Sequence, residues 1–346
     1  MDFPKRGASI NPRNRFEQME VILDEEFAED LRNPATQYLR DDTQSLISFN
    51  ESPDIGFRAS INPYRGCEHG CAYCYARPFH EYLGFSAGVD FETRIMVKTE
   101  APGILRRELS SPKWRPQPLA MSGVTDCYQP IERKMRITRG CLEVLAEFRN
   151  PVVIVTKNHL VTRDLDLLSP LAAVAAASVN ISITTLDADL ARRLEPRASL
   201  PAHRLEAIRV LSSAGIPVRV LVAPVIPGLN DHEVPSILAA AREAGAEGAG
   251  YTLLRLPYGV KDIFSAWLEE HLPAAHEKIL DRIRGMRSGL LNDARFGTRM
   301  RGEGVEAETI RRLFELGVAR AGLNRETLAL STASFRNPAG QQLELF

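Results

Sequence analysis

The sequence predicts an α/β fold: an open, TIM-like partial (βα)6 barrel built on a mostly parallel sheet. Five short apolar runs recur at intervals of roughly 30 residues, and an amphipathic helical stretch follows each of the first four. A sixth strand is predicted just before a cysteine-rich loop at residues 67–74. Because six βα units are fewer than the eight of a closed barrel, we expect the sheet to stay open.

The repeated units can be followed along the chain. The apolar runs cover residues 118–126, 151–158, 179–187, 216–224 and 248–256. The helical stretches cover residues 132–148, 188–195, 201–215 and 231–245. The last two stretches end at glycines, which are common just beyond a helix. Runs that are apolar throughout are typical of a parallel sheet covered on both faces.

Composition divides the chain into four regions. We expect an N-terminal extension at 1–56, the partial barrel at 57–260, a helical C-terminal region at 261–335 and a flexible tail at 336–346. The extension is polar and rich in acidic residues, which predicts a poorly packed segment that wraps the core. After the barrel the alternation of strands and helices stops, and charged helical sequence follows.

The totals exclude several classes of protein. The 346 residues carry a net charge of -1, so any basic surface for nucleic acid has to be local. The N-terminus has no apolar signal-peptide core, and no uninterrupted apolar run reaches the ~18 residues of a membrane span. Three of the five cysteines are clustered, which indicates a metal site in a reducing compartment. We therefore expect a cytoplasmic protein without membrane contact.

Polar residues follow the strands at their carboxyl ends, where sites in βα folds lie. Thr125 and Asp126 follow the second strand, Lys157 the third and Arg255 the sixth. Lys157 and Arg255 are candidate substrate contacts, for which a phosphate or carboxylate is a suitable partner. Lys157 is equally suited to an ion pair with Asp126 or Asp187.

The cysteine loop reads CEHGCAYC, with Cys67, Cys71 and Cys74 spaced C-x3-C-x2-C. Thiolates at this spacing bind a soft metal. A structural zinc site needs a fourth ligand, for which His69 or His80 is available. An iron–sulfur cubane on three cysteines would leave one iron open to a ligand from outside the protein. The spacing alone leaves both sites open.

With Tyr73 directly before the third cysteine, CEHGCAYC resembles the signature of radical S-adenosylmethionine (SAM) enzymes, across roughly residues 57–260. The resemblance implies a 4Fe–4S cluster on Cys67, Cys71 and Cys74, with SAM on the open iron. It also implies an electron donor such as flavodoxin or ferredoxin, and cleavage of SAM to methionine and a 5′-deoxyadenosyl radical.

The same resemblance implies positions for the SAM contacts. Tyr73 corresponds to the aromatic residue near the adenine. At the end of the second strand, GVTDC stands where the family commonly has a Gly-Gly-Glu-like segment, so Thr125 and Asp126 are candidates for the amino group. The remaining candidates are Ser182 or Thr184 for the ribose, Arg197 for the carboxylate, and Val225 and Ile226 beside the adenine. Each also has an ordinary structural explanation.

The longer string NPYRGCEHGCAYCYAR resembles the branch that includes spore photoproduct lyase, a DNA repair enzyme. That branch implies tyrosines on both sides of the third cysteine, here Tyr73 and Tyr75. It also implies a cysteine that donates hydrogen to a product radical. Cys127, at the mouth of the second strand, is the candidate, whereas Cys141 lies on an amphipathic helix as a packed residue.

A basic stretch and the C-terminus suggest partners. Between Lys278 and Arg301 the local charge is +5, and Arg295 and Arg299 are candidates for DNA phosphates. A solvated helix face paired with the acidic N-terminal extension explains this charge equally well. The chain ends in QLELF, which resembles the bacterial sliding-clamp binding motif. The clamp contacts would be Gln342, Leu343, Leu345 and Phe346.

Three functions follow from these features. The first is a radical SAM enzyme that acts on nucleic acid, in lyase-like DNA repair or processing. The second is a radical SAM enzyme that modifies a protein or a small molecule. The third is a zinc-stabilised nucleic-acid-binding protein without catalysis. Zinc at one per chain without labile sulfide would identify the third function.

Overall fold

The computed structural model describes residues 6–17, 34–324 and 329–338. Its larger sheet has seven strands in the order β10-β9-β8-β7-β6-β3-β2. These strands are β2 (Ile47–Phe49), β3 (Ala59–Ile61), β6 (Leu119–Met121), β7 (Val152–Thr156), β8 (Ala177–Ser182), β9 (Val218–Val225) and β10 (Gly248–Leu253). A smaller sheet has the order β1-β5-β4, from Gln37–Arg40, Arg94–Val97 and Tyr64–Arg65.

Six strands of the larger sheet, β3 and β6 to β10, are parallel and follow one another in chain order. β6 to β10 correspond to the five apolar runs, and β3 precedes the cysteine loop as the sixth strand, so the α/β fold with a mostly parallel sheet is confirmed. All six residues of β8 are buried, as expected for a central strand covered on both faces. The predicted run 118–126 forms only a three-residue strand, because the chain turns at Ser122, which has a φ of 90°.

Eleven α-helices accompany the sheets within the described residues. They are α1 (Val89–Thr93), α2 (Ala101–Ser110), α3 (Glu132–Met135), α4 (Ile137–Phe148), α5 (Leu165–Ala172), α6 (Ala188–Leu194), α7 (Pro201–Ser213), α8 (Val234–Glu243), α9 (Val260–His271), α10 (His276–Gly285) and α11 (Gly304–Ala321). Short 3-10 helices cover Arg77–Leu83, His159–Asp164, Asp231–Glu233 and Pro273–Ala275.

The stretch predicted as one helix over residues 132–148 is two helices. Arg136 takes a left-handed conformation with a φ of 55° and separates α3 from α4. The buried Glu132 carboxylate accepts hydrogen bonds from the backbone N–H groups of Thr138 (2.9 Å) and Arg139 (3.3 Å). Glu132 thus accepts the first backbone N–H groups of α4. These groups are free of helical partners because a new helix begins there.

The N-terminal region is better packed than its composition predicts. Arg6, Gly7 and Ala8 are buried, although residues 6–17 form no regular element. Further along, β2 pairs antiparallel with β3, so the region at 1–56 also contributes an edge strand to the larger sheet. On the opposite edge, Asn324 forms a parallel bridge with Gly248. Within the described ranges, no helix is long and apolar enough to cross a membrane.

Candidate active site

The cysteine loop follows β4 at the carboxyl end of the parallel sheet, next to the 3-10 helix Arg77–Leu83. Two glycines with positive φ allow the backbone of the loop to turn tightly. Gly66 has a φ of 78°, and a Cβ there would lie 2.9 Å from the Phe91 carbonyl oxygen. Gly70 has a φ of 67°, and a Cβ there would lie 2.7 Å from Glu92 Oε2. Larger residues at both positions would strain the backbone and displace a neighbour.

A buried ion pair between Arg77 and Glu92 supports the cysteine loop. The fully buried guanidinium of Arg77 donates from Nε (3.0 Å) and Nη2 (2.8 Å) to the Cys71 carbonyl oxygen. Arg77 also pairs with the buried carboxylate of Glu92. That carboxylate accepts the backbone N–H groups of Gly7 (3.0 Å) and Ala8 (2.8 Å). Residues 6–8 are therefore fixed against the loop, and a Cβ on Gly7 would lie 1.6 Å from the Gly70 carbonyl oxygen.

The three loop cysteines are free thiols. Cys67 and Cys71 are buried and Cys74 is half-buried, and burial raises the pKa of all three thiols. Such thiols lose their protons when they bind a metal, because coordination favours the thiolate. The other two cysteines, Cys127 and Cys141, lie in the main hydrophobic core. The donor set is thus three sulfurs on one loop, which fits a cubane with one iron open.

A zinc ion has less support. Both ring nitrogens of His69 have partners: Nδ1 lies 3.3 Å from Asp126 Oδ2, and Nε2 lies 3.1 Å from Asn158 Nδ2. His80 packs against the rings of Phe85 and Phe91, and its ring nitrogens have no hydrogen-bond partner among the described residues. Across the described part of the chain, no three Cys, His, Asp or Glu side chains are grouped to hold a metal ion. A cubane takes each thiolate on a different iron, so its ligands need not converge on one point.

The carboxylate of Glu195 connects the cysteine loop to the end of β8. It accepts hydrogen bonds from the Tyr73 hydroxyl, the Thr184 hydroxyl (2.6 Å) and the Arg204 guanidinium. The amine of Lys157 lies 3.9 Å away. Burial alone would raise the pKa of Glu195, but Arg204, Lys157 and these hydrogen bonds lower the pKa to about 2. The carboxylate is therefore ionised and fixes Tyr73 beside Cys71 and Cys74.

Asp126 has a structural role at the end of β6. Its carboxylate accepts the Thr156 hydroxyl (2.7 Å) and the backbone N–H groups of Lys157 (2.8 Å) and Tyr128 (2.9 Å), beside His69. Burial alone would raise the pKa of Asp126, but His69 and the hydrogen bonds from Lys157 and Thr156 hold the pKa below its usual value. The Lys157 amine turns away, towards the Ala223 carbonyl oxygen (3.3 Å) and Glu195.

The other predicted SAM contacts lie around the same sheet edge. The hydroxyl of Thr125 donates to the Gly66 carbonyl oxygen (2.6 Å), against the cysteine loop. Arg197 pairs with Glu68 of the loop (3.0 Å). Ser182, Val225 and Ile226 are buried at the ends of β8 and β9. Thr125, Arg197 and Ile226 contact or pack beside the loop, and the guanidinium of Arg197 is partly exposed.

Two predicted residues meet at the mouth of the site. Tyr75 donates its hydroxyl to the Gly123 carbonyl oxygen (2.8 Å), and the guanidinium of Arg255 lies 5.8 Å from the centre of the Tyr75 ring. Arg255 Nε has no hydrogen-bond partner in the described part of the structure, and burial lowers the pKa of Arg255. Cys127, in contrast, is fully buried in the main core and does not line this mouth.

The basic C-terminal stretch is largely neutralised. Arg295 pairs with Asp293 (2.8 Å) and Glu303 (2.9 Å). Arg299 pairs with Asp54 (2.5 Å) of the N-terminal region, as the alternative explanation for this charge expected. The predicted clamp contacts at 342–346 lie outside the described residues.

The sequence prediction missed Glu195, Arg204, Glu92 and Arg77. Glu195 lies two residues before Arg197 in the segment LEPRA. The sequence analysis therefore selected the correct segment but chose Arg197 and not Glu195. Glu92 and Arg77 have no signal of their own, because a charged residue in a polar segment ordinarily lies at the surface.

Comparisons with known proteins place this geometry in context. Residues 61–241 match the family model of the Radical SAM superfamily. An uncharacterised protein of Mycobacterium tuberculosis (strain ATCC 25618 / H37Rv) is 38% identical over 232 residues, 66% of this chain and 67% of the relative. An uncharacterised protein of Methanocaldococcus jannaschii is 30% identical over 178 residues, 51% of this chain and 64% of the relative.

Among solved structures, a spore photoproduct lyase variant superposes with a TM-score of 0.58 at 16% identity, over 82% of this chain and 79% of that chain. A second variant of that lyase, with bound AdoMet and dinucleoside spore photoproduct, superposes with a TM-score of 0.57 at 16% identity, over 85% of this chain and 82% of that chain. At this identity the likeness establishes a shared fold and leaves substrate and reaction to the residues themselves.

Proposed function

The chain belongs to the radical SAM superfamily, and on that premise we propose that it cleaves SAM reductively to modify nucleic acid, in lyase-like repair or processing. The observation that carries the proposal is the three-cysteine loop at the carboxyl end of a parallel sheet, with Tyr73 bonded to the buried Glu195. The family implies a 4Fe–4S cluster and SAM, and the donor set fits that cluster.

Cys67, Cys71 and Cys74 would hold the cluster. When bound, the cluster supplies the electron that cleaves SAM to methionine and a 5′-deoxyadenosyl radical. The protein contributes position and shielding. Arg77 fixes the Cys71 carbonyl from below, and the N-terminal residues 6–8 cover the loop at Gly70. Covering the loop excludes water from chemistry that a radical would otherwise lose to solvent.

The proposed SAM site lies between the loop and the ends of β6, β8 and β9. Thr125, Asp126, Ser182 and Thr184 form its polar side, and Val225 and Ile226 form its apolar wall. Asp126 and Thr184 already bond protein groups, so they would mainly hold neighbouring atoms in place. Lys157 contacts the Ala223 carbonyl oxygen and lies 3.9 Å from Glu195, and Arg197 pairs with Glu68 through a partly exposed guanidinium. These two cations suit the carboxylate of SAM or a substrate anion.

Three observations support nucleic acid as the substrate. The fold resembles that of a lyase whose structure contains a dinucleoside photoproduct. Arg255 lies beside the Tyr75 ring, and its guanidinium lacks an ion-pair partner among the described residues. Tyr75 also directly follows Cys74, one of the three proposed cluster ligands. In this proposal Tyr75 is the residue nearest to the substrate, and Cys127 would reach a product radical only after a local rearrangement of the core.

Other parts of the proposal concern partners and architecture. Arg295 and Arg299 would exchange their present carboxylate partners for DNA phosphates. Residues 342–346 would bind a bacterial sliding clamp, and a flavodoxin or ferredoxin would supply electrons. We also propose that the six parallel strands curve into an open partial barrel, with the helical region at 261–335 packed beside it.

Formation of 5′-deoxyadenosine tests the central proposal. The full chain is reconstituted with iron and sulfide without oxygen, reduced with dithionite and incubated with SAM, beside a Cys71→Ala variant. We expect 5′-deoxyadenosine from the wild type and none from the variant. Zinc at one per chain, with no labile sulfide after reconstitution, would overturn the radical mechanism. Cleavage without any nucleic-acid product would favour the protein or small-molecule alternative.

A further inference from the structure

Exposed aromatic rings are concentrated beside the cysteine loop. Five rings form this group, which we name the aromatic surface: Tyr75 (47% exposed), Phe79 (50%), Tyr82 (67%), Phe16 (57%) and Tyr258 (58%). Rings of this size are normally buried, since each removes a large apolar area from water when it packs. Of these, Phe16 stacks on Tyr82 and is joined to Tyr258 through Arg15, and exposed rings grouped in this way mark an interaction site.

The backbone that carries the rings places several of them on one face. Phe79 and Tyr82 are three residues apart in the 3-10 helix Arg77–Leu83, which has three residues per turn, so their side chains lie on one face. Tyr75 precedes this helix directly after Cys74. At the other end, Phe16 of the N-terminal region stacks on Tyr82, with ring centres 4.8 Å apart and planes at 25°. The aromatic surface therefore extends away from the loop that would hold the cluster.

Guanidinium groups are interleaved with the rings. Arg15 lies 3.5 Å from the centre of the Tyr258 ring and 5.0 Å from that of Phe16. Arg255 lies 5.8 Å from the Tyr75 ring. Arg13, in the same N-terminal segment, is exposed and lines a surface depression of about 360 Å³ together with Arg15 and Phe16. Arg15 is itself ion-paired at 2.6 Å with the buried carboxylate of Glu81, so its charge is compensated and its contribution is the stacking on Tyr258 and Phe16.

We propose that the aromatic surface binds a single-stranded or locally unpaired stretch of nucleic acid and leads it to the mouth at Tyr75 and Arg255. This inference rests on the proposed function. Rings stack on exposed base faces, and guanidinium groups lie against phosphates, so the alternation of the two matches the alternation of bases and phosphates along one strand. A duplex hides its base faces in its own stack and would leave the rings in water.

Binding of labelled oligonucleotides tests the inference. The reconstituted full chain is titrated against a fluorescein-labelled oligothymidylate of about 20 nucleotides and against a duplex of equal length, and anisotropy is recorded. We expect tighter binding of the single strand. Phe79→Ala and Tyr82→Ala should each weaken single-strand binding about tenfold, within the range for loss of one stacked base. Tyr82→Phe keeps the stacking ring and should bind as the wild type does.

Phe49→Ala is the matched control, because Phe49 is as exposed as Tyr82 (67%) but lies on the edge strand β2. It should leave binding unchanged. Iron and sulfide content and the unfolding midpoint show whether each variant is folded. The inference would be overturned if both alanine variants bound the single strand as tightly as the wild type, or if the wild type did not bind it. A protein would then be the partner to consider for these rings. The proposed function is tested separately: it fails if the wild type forms no 5′-deoxyadenosine, whatever the outcome of the binding experiment.

Discussion

The buried pair of Arg77 and Glu92 allows a quantitative prediction about the cysteine loop. Glu92→Gln preserves the shape of the side chain but removes its charge. The wild-type carboxylate accepts the N–H groups of Gly7 and Ala8 and pairs with Arg77. An amide has one acceptor oxygen and directs an NH2 group towards donors. Arg77 would thus stay buried without a counter-charge.

Removing one partner of a buried ion pair costs about 3–5 kcal/mol. That loss is a large part of the 5–15 kcal/mol by which domains are commonly stable. Because Arg77 also holds the Cys71 carbonyl, we expect the loop itself to loosen. Glu92→Gln should therefore lower the free energy of unfolding in urea by about 3–5 kcal/mol and reduce the iron retained after reconstitution.

The control is Glu147→Gln. Glu147 pairs with Arg106 at 2.5 Å, but the two side chains are 36% and 47% exposed, so this pair is worth only about 0–1 kcal/mol. Urea unfolding and iron analysis of the two variants side by side compare a buried pair with an exposed one. If Glu92→Gln unfolded within about 1 kcal/mol of the wild type and kept its full iron content, the pair of Arg77 and Glu92 would not be what supports the loop.

The remaining predictions use other contacts. Gly7→Ala should reduce iron retention, since its Cβ would lie 1.6 Å from the Gly70 carbonyl oxygen, whereas Gly56→Ala, with open space around it, should match the wild type in iron content. Because the pKa of Glu195 is lowered from 4.5 to about 2, its stabilisation is present above pH 4.5 and lost as the pH falls towards 2. Urea unfolding of Glu195→Gln should accordingly depend less on pH across that window; an unchanged slope would contradict the assignment. Deleting residues 341–346 should abolish sliding-clamp binding in a pull-down with purified clamp while SAM cleavage continues, and undiminished clamp binding would end that proposal.

Much of the fold could be predicted because its signals are local. The strands β7, β8 and β9 are rich in apolar residues, mostly valine, and buried parallel strands are typically apolar. The cysteine loop was equally legible, since its ligands fall within eight residues. The break at Arg136 was not, because it depends on Glu132 turning back to accept the amides of α4.

The support of the site depends on contacts between distant parts of the sequence. Tyr73 and Glu195 are 122 residues apart, and Gly7 and Glu92 are 85 residues apart. Neither pair has a pattern that a single sequence can reveal. The aromatic surface has no sequence signal for the same reason, since Phe16 and Tyr82 look like ordinary core residues until the chain brings them together at the surface. In the same way, the sequence of the basic stretch does not indicate that Arg299 pairs with Asp54, which is distant along the chain.

The strand β2 has a consequence for how this protein can be handled. It covers the free side of β3 through the register Ile47 to Ile61, and Asn324 covers β10 at the other end of the sheet. A shortened protein that kept only residues 57–260 would lose both covers and expose two rows of unpaired backbone groups. Exposed strand edges recruit other chains, so such a fragment should self-associate and precipitate. The flanking regions therefore protect the sheet edges against aggregation, and solubility trials should use proteins that retain residues 6–8, β2 and Asn324.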